Sequence, residues 1–167
     1  MQRILIIGGN GSGKTTFSNA LAEKTGLPLV HLDKLFWYGN WQYRHREEFD
    51  PLLQKELEKE RWILDGNMMR TFPRRLEYCD TVFYLDFSTL RCLWGVTTRV
   101  IKNYGKTRPD MGGNCPDHFD LQFYKNILTF NKKHRKNTYE LLKTCNKQVF
   151  VFKNHRQISN FLNTFSL

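Results

Sequence analysis

The sequence predicts an α/β fold, a parallel sheet covered by helices on both faces, and three observations carry that prediction. Short apolar runs alternate along the chain with segments of helical periodicity. A glycine-rich stretch, GGNGSGKT (8–15), lies between the first such run and the first such segment, and three of the runs each end in an aspartate. Strands that alternate with helices are joined by right-handed crossovers, which build a parallel sheet. Runs that are apolar throughout belong to strands buried on both faces.

RILII (3–7) is the first strand, and TTFSNALAEKTG (15–26) the first helix, with Phe17, Ala20, Leu21 and Lys24 at helical spacing. Gly26 followed by Pro28 stops that helix. LPLVHLD (27–33) is predicted as a second strand ending in Asp33, and KLFWYGNWQY (34–43) as a loop. The second helix runs from about His45 through Glu60, with Phe49, Leu52, Leu53 and Leu57 on one face. RWILDGN (61–67) and TVFYLDF (81–87) are strands that reach Asp65 and Asp86. A helix over 88–102 leads into the segment 102–118, rich in Gly, Pro and charge and without periodicity, a loop of functional length. Residues 119–145 read as one or two helices, QVFVF (148–152) as the fifth strand, and 154–165 as a closing helix. Asn154 and Gln157 start that helix in the manner of a capping box, and Ile158, Phe161, Leu162 and Phe165 form its inner face.

With 167 residues, 40% hydrophobic and 14% aromatic, the chain is expected to form a single domain over 1–167 that needs no disulfides. Cys79, Cys92, Cys115 and Cys145 are far apart, as suits reduced thiols rather than a disulfide framework or a zinc site. The four apolar residues after Arg3 are too few for a signal-peptide core, and no run of eighteen apolar residues exists, so a cytoplasmic location without a membrane partner is expected. Residues 1–87 hold 12 basic and 12 acidic side chains, whereas 88–167 hold 14 basic and 4 acidic ones, so the net +10 belongs to the second half. Such a field attracts polyanions, either nucleotide phosphates or a nucleic acid backbone.

Gly8, Gly13, Lys14 and Thr15 satisfy G-x-x-x-x-G-K-[ST], the P-loop pattern, in the strand-loop-helix context that the pattern requires. In such a loop (Gly8, Gly9, Asn10, Gly11, Ser12, Gly13) the backbone N–H groups and the following helix N-terminus face phosphate. Lys14 would reach the β and γ phosphates, the Thr15 hydroxyl would ligate Mg²⁺, and Thr16 would lie near the α phosphate. The cofactors so implied are ATP and Mg²⁺. Asp65 closes an apolar strand as a Walker B carboxylate does, acting on Mg²⁺ or its water shell. Asp33 ends the neighbouring predicted strand, where it could orient or deprotonate an acceptor hydroxyl. Phosphoryl transfer also needs arginines on its equatorial oxygens, and Arg70, Arg99 and Arg108 are the candidates, with Arg156 at the last helix a further one for the base. Phe36, Trp37, Tyr38 and Trp41 follow Asp33, where they either stack on an acceptor ring or pack a helix. His31 reads as a strand residue, and Asp86 as structural. A guanine signature is missing: Asn131-Lys132-Lys133-His134 lacks the acidic position, and Asp110-Met111-Gly112-Gly113 matches D-x-x-G by chance in a basic loop.

With these residues in hand the chain resembles the P-loop kinase superfamily that includes adenylate, shikimate and gluconate kinases. More narrowly it resembles the bacterial DNA topology modulation proteins, related to adenylate kinase. The segments concerned are IIGGNGSGKTT, LPLVHLDKLFW, WILDGN with Arg70 following, VFYLDF and KTRPDMGGNCPDHFD. The resemblance implies a three-layer P-loop NTPase fold with a five-stranded parallel sheet of order 2-3-1-4-5, an acceptor region after strand two, and a lid at about 102–118. Asp33 then matches the acceptor-side aspartate of shikimate and gluconate kinases, and DGN with Arg70 is similar to the D-G-F-P-R stretch of adenylate kinases, without its Phe-Pro. Three functions stay open on the sequence: an ATP-dependent small-molecule or nucleotide kinase that takes a nucleoside triphosphate and a small acceptor, a nucleotide-dependent DNA-binding regulatory protein, and an ATPase without an acceptor.

Overall fold

The computed structural model describes residues 1–165. Its elements are β1 (Arg3–Gly8), α1 (Lys14–Thr25), β2 (Leu29–His31), α2 (Leu32–Phe36), β3 (Trp37–Gly39), β4 (Gln42–Tyr43), α3 (Arg46–Leu57), β5 (Trp62–Asp65), α4 (Phe72–Tyr78), β6 (Thr81–Leu85), α5 (Thr89–Asn103), α6 (Leu121–Thr144), β7 (Gln148–Phe152) and α7 (His155–Thr164). Five strands form one sheet in the order β2-β5-β1-β6-β7, and every pairing in it is parallel. Counted within this sheet alone the succession is the expected 2-3-1-4-5; the labels differ in detail because β3 and β4, which form a separate antiparallel ribbon where a loop is expected, enter the count. Among the described residues no helix is long and apolar enough to cross a membrane.

β1 occupies the middle of the sheet, and its register explains its composition. Ile4 and Ile6 face one helical layer together with Phe17, Leu21, Phe83 and Val96. Leu5 and Ile7 face the other, with Phe49, Leu53, Trp62 and Phe72. Successive side chains of a strand point to opposite faces, so a strand covered on both sides has to be apolar at every position. All four of these aliphatic residues are at most 1% exposed, and truncating one to alanine costs about 2–5 kcal/mol.

The parallel sheet brings the C-terminal ends of β1, β2, β5 and β6 to one edge, the place where open α/β sheets form their clefts. Residues after those ends build the site. β2 stops at His31, so Asp33 lies in the first turn of the five-residue α2 rather than at a strand end. Asp65 is the last residue of β5, while Asp86 lies just past β6 and is buried. There it accepts hydrogen bonds from Arg135 (2.7 Å) and Tyr139 (2.7 Å) of α6, which fasten that helix to the sheet. The segment 119–145 forms the single helix α6, whose N-cap Asp120 accepts from the amides of Gln122 and Phe123.

Candidate active site

The loop between β1 and α1 turns so tightly that its glycines cannot be replaced without moving neighbours. Gly11 has φ +82°, and a Cβ there would collide with the Cys92 carbonyl of α5, just as one on Gly95 would collide with the Gly11 carbonyl. Loop and helix α5 are therefore pressed together backbone to backbone. Asn10, Gly11, Gly13, Lys14, Thr15 and Thr16 line a cavity of about 430 Å³ at the start of α1. Of the predicted phosphate loop, Gly8, Gly9 and Ser12 do not line it: Ser12 is fully buried, its hydroxyl without a hydrogen-bond partner among the described residues.

Lys14 Nζ donates to the Gly9 carbonyl (3.1 Å), folding the side chain over its own loop. Burial holds its pKa below the usual ammonium value against the pull of Asp65 and Asp33. An ammonium so desolvated gains from an incoming phosphate more than a solvated one would. The Thr15 hydroxyl donates to Asp110 Oδ2 of the 104–120 segment (3.1 Å). Asp65 accepts from Ser18 Oγ (2.9 Å) and pairs through its other oxygen with His31 Nδ1 (2.8 Å). Burial alone would lower the His31 pKa, but the hydrogen bond and charge of Asp65 raise it.

Asp33 is open to water from the cavity yet ringed by protein, and among the described residues no hydrogen bond fixes its carboxylate. That enclosure raises its pKa, with Asp65 and Asp110 adding to the effect and Lys14 and Arg108 opposing it. Arg99 of α5 and Arg108 of the 104–120 segment also line this cavity. Arg108 pairs with Asp110 (2.5 Å) and Asp117 (3.0 Å), and Arg99 approaches the same Asp117 at 3.7 Å. Burial, then the neighbouring Arg108, lowers the Arg99 pKa.

A second cavity of about 590 Å³ adjoins the first, and Asn10, Asp33, Arg99 and Arg108 line both. Trp37, Trp41 and Tyr43 of the ribbon and Phe123 of α6 give it aromatic walls. The ribbon turn places Asn40 and Trp41 in the left-handed region (φ 49° and 57°), the pair of positive φ values that a tight hairpin of this kind requires. Trp41 is held there by donating through Nε1 to the Pro116 carbonyl (3.1 Å). Gly112 and Gly113 lie so close to the Trp37 and Tyr38 carbonyls that a Cβ on either would overlap them. The 104–120 segment is thus bound to the ribbon as well as to the phosphate loop.

Arg70 corrects the sequence expectation. It lies on a 3₁₀ turn after β5, is exposed, and makes a bidentate pair with Asp50 of α3 (2.9 and 2.6 Å), lining neither cavity. The buried arginine of that region is Arg75, which donates to the Gly66 and Met68 carbonyls (2.9 and 2.8 Å) and so shapes the loop after Asp65. Burial brings its pKa down to about 9. Arg156 lines neither cavity, whereas Arg91, Trp94 and His155 line the first. Sequence reasoning missed His31 and Asp110 as site residues. Asp110 sits in the D-x-x-G stretch dismissed as a chance match, and only its basic, glycine-rich setting hinted at a loop folding back over phosphate.

Among the described residues no group of three or more His, Cys, Asp or Glu side chains could hold a metal by itself. The Thr15 hydroxyl and the Asp65 carboxylate are hard oxygen donors of the kind that share Mg²⁺ with phosphates and water.

No protein-family model matches the chain, and no curated protein matches it; the narrower resemblance to the DNA topology modulation proteins finds no support there. Solved structures do match. Deoxyadenosine kinase from M. mycoides with bound dATP superposes with a TM-score of 0.54 at 14% identity, covering 98% of each chain. The same enzyme with products dCMP and a flexible dCDP gives 0.52 at 14%, covering 96% of each. Shikimate kinase from Bacteroides thetaiotaomicron gives 0.56 at 17%, covering 97% of this chain and 94% of that one. At these identities the likeness speaks for architecture alone: this chain shares the fold of these two kinases.

Proposed function

We propose that this protein is an ATP-dependent phosphotransferase that passes the γ-phosphoryl group to a small hydroxyl acceptor. The observation that carries this reading is the junction of two cavities at Asp33, Arg99 and Arg108. One side offers backbone amides, Lys14 and Thr15, the furniture of a triphosphate. The other offers a walled space of ligand size.

In this reading Lys14 and the loop amides orient the β and γ phosphates, and Arg99 and Arg108 hold the equatorial oxygens as charge spreads over them. Asp33 accepts the acceptor's hydroxyl proton as the new O–P bond forms and the bond from phosphorus to the ADP oxygen breaks. A carboxylate with a raised pKa is a better base for that task than an ordinary one. Mg²⁺, when bound, supplies charge neutralisation on the phosphates; Thr15 would hold it, with Asp65 acting through its water shell. The segment 102–118 serves as the lid, excluding water through Arg108, Asp110 and its seam with the ribbon. Incubation with Mg-ATP and a panel of nucleosides, nucleoside monophosphates and small hydroxyl compounds tests the reading. A phosphorylated product is expected from at least one; tight ATP binding with none would overturn it.

A further inference from the structure

Residues that line both cavities mark the place where transfer would occur; residues that line only the larger one describe the body of the acceptor. Among the described residues of the latter kind no lysine or arginine occurs. Its formal charges among the described residues are Asp117 and Asp120, and neither is idle: Asp117 engages Arg108 and Arg99, and Asp120 caps α6. With Asp33, the whole wall sets three aspartates against two arginines, both of which also line the phosphate side. A phosphate or carboxylate carried on the acceptor would meet a wall with one more carboxylate than guanidinium, in which Arg108 is paired with Asp110 and Asp117 and Arg99 stands 3.7 Å from Asp117, and like charges brought together in an interface are costly.

The apolar part of the wall is aromatic. Trp37 and Trp41 pack edge to face (5.3 Å, 80°), and the His118 ring packs edge-on to Trp41 (5.5 Å, 77°). Phe123 faces them from α6, and Gln122 and Asn126 of that helix supply amides that both donate and accept. Rings stack on such walls without needing charge, and amides read the polar edge of an uncharged heterocycle. We infer that the larger cavity receives an uncharged alcohol carried on a flat ring, of nucleoside size, its hydroxyl delivered to Asp33. The inference rests on the phosphotransferase reading for the direction of the hydroxyl, but the choice of an uncharged ring over an anion rests on the cavity wall alone.

Binding is the direct test, because it needs no turnover. With ADP saturating the P-loop side, tryptophan fluorescence of the full chain is titrated with adenosine and cytidine, with their 5′-monophosphates, and with shikimate. A nucleoside is expected to bind at least about tenfold more tightly than its monophosphate, and shikimate no better than the monophosphates. Tyr43→Ala and Phe123→Ala should each weaken nucleoside binding about tenfold, with ATP affinity retained as the sign of an intact fold. Asn126→Lys should close the gap by strengthening monophosphate binding. A monophosphate or shikimate binding as tightly as the nucleosides, or no nucleoside binding at all, overturns the inference. Nucleoside binding without any phosphorylated product instead overturns the phosphotransferase reading, so the two failures are distinct.

Discussion

Asp33 is the residue on which the proposed chemistry and stability pull in opposite directions. Its folded pKa is raised above the ordinary 3.8 by enclosure and by neighbouring carboxylates. The folded chain therefore holds that proton at pH values where the unfolded chain has lost it, and stability falls as pH rises through that window. Asp33→Asn removes the ionisation, so thermal unfolding of the ligand-free variant should show a higher Tm than wild type at pH 7, and no difference once the pH drops below the ordinary carboxylate value. An equal or lower Tm at pH 7 would show that the carboxylate is well accommodated and not under tension. Arg70 makes the opposite prediction. Its pair with Asp50 lies on the surface, so Arg70→Ala should cost only about 0.2–1 kcal/mol in denaturant unfolding and leave the rate of transfer unchanged. Loss of transfer would return Arg70 to the site.

The contact between the β1–α1 loop and α5 is the element on which the proposed nucleotide side depends. Gly95 lies within α5, where alanine ordinarily gains up to about 1 kcal/mol over glycine. Here its Cβ would strike the Gly11 backbone, so urea unfolding of Gly95→Ala should show a loss of about 1–3 kcal/mol instead, accompanied by weaker ATP binding. A gain would mean that the helix can back away freely. The elements easiest to read in the sequence were those whose signal is local. β1, β5, β6 and β7 are apolar runs bounded by turn residues, and the P-loop is a contiguous pattern. Residues 32–43 were read wrongly because a five-residue helix and a two-stranded ribbon are too short to show a period. The ribbon takes its shape from Gly112, Gly113 and Pro116, some seventy residues on. The Thr15–Asp110 bond joins residues 95 apart, and no spacing rule reaches that far. Arg70 looked right by its distance from β5, but Asp50 of α3 claims it.

Across the molecule, the charge asymmetry of the sequence acquires a location. Lys125, Lys132, Lys133, Lys136 and Lys143 are exposed on α6, and none of them lines either cavity. A surface of this kind holds polyanions by counterion release, so any retention on duplex DNA should fall steeply as salt rises, and Asp33→Asn should retain DNA as wild type does. The sheet edge, α5, the ribbon and the 104–120 segment meet around Asp33, and that convergence joins the two cavities into the one transfer site proposed above. The most direct test follows ADP and phosphorylated acceptor together in wild type and in Asp33→Asn, with ATP affinity measured alongside. Equimolar ADP and phosphorylated acceptor in wild type, and none in Asp33→Asn at an ATP affinity within about twofold of wild type, is the predicted result. Asp33→Asn transferring at the wild-type rate, or wild type releasing ADP with no phosphorylated acceptor, would contradict it.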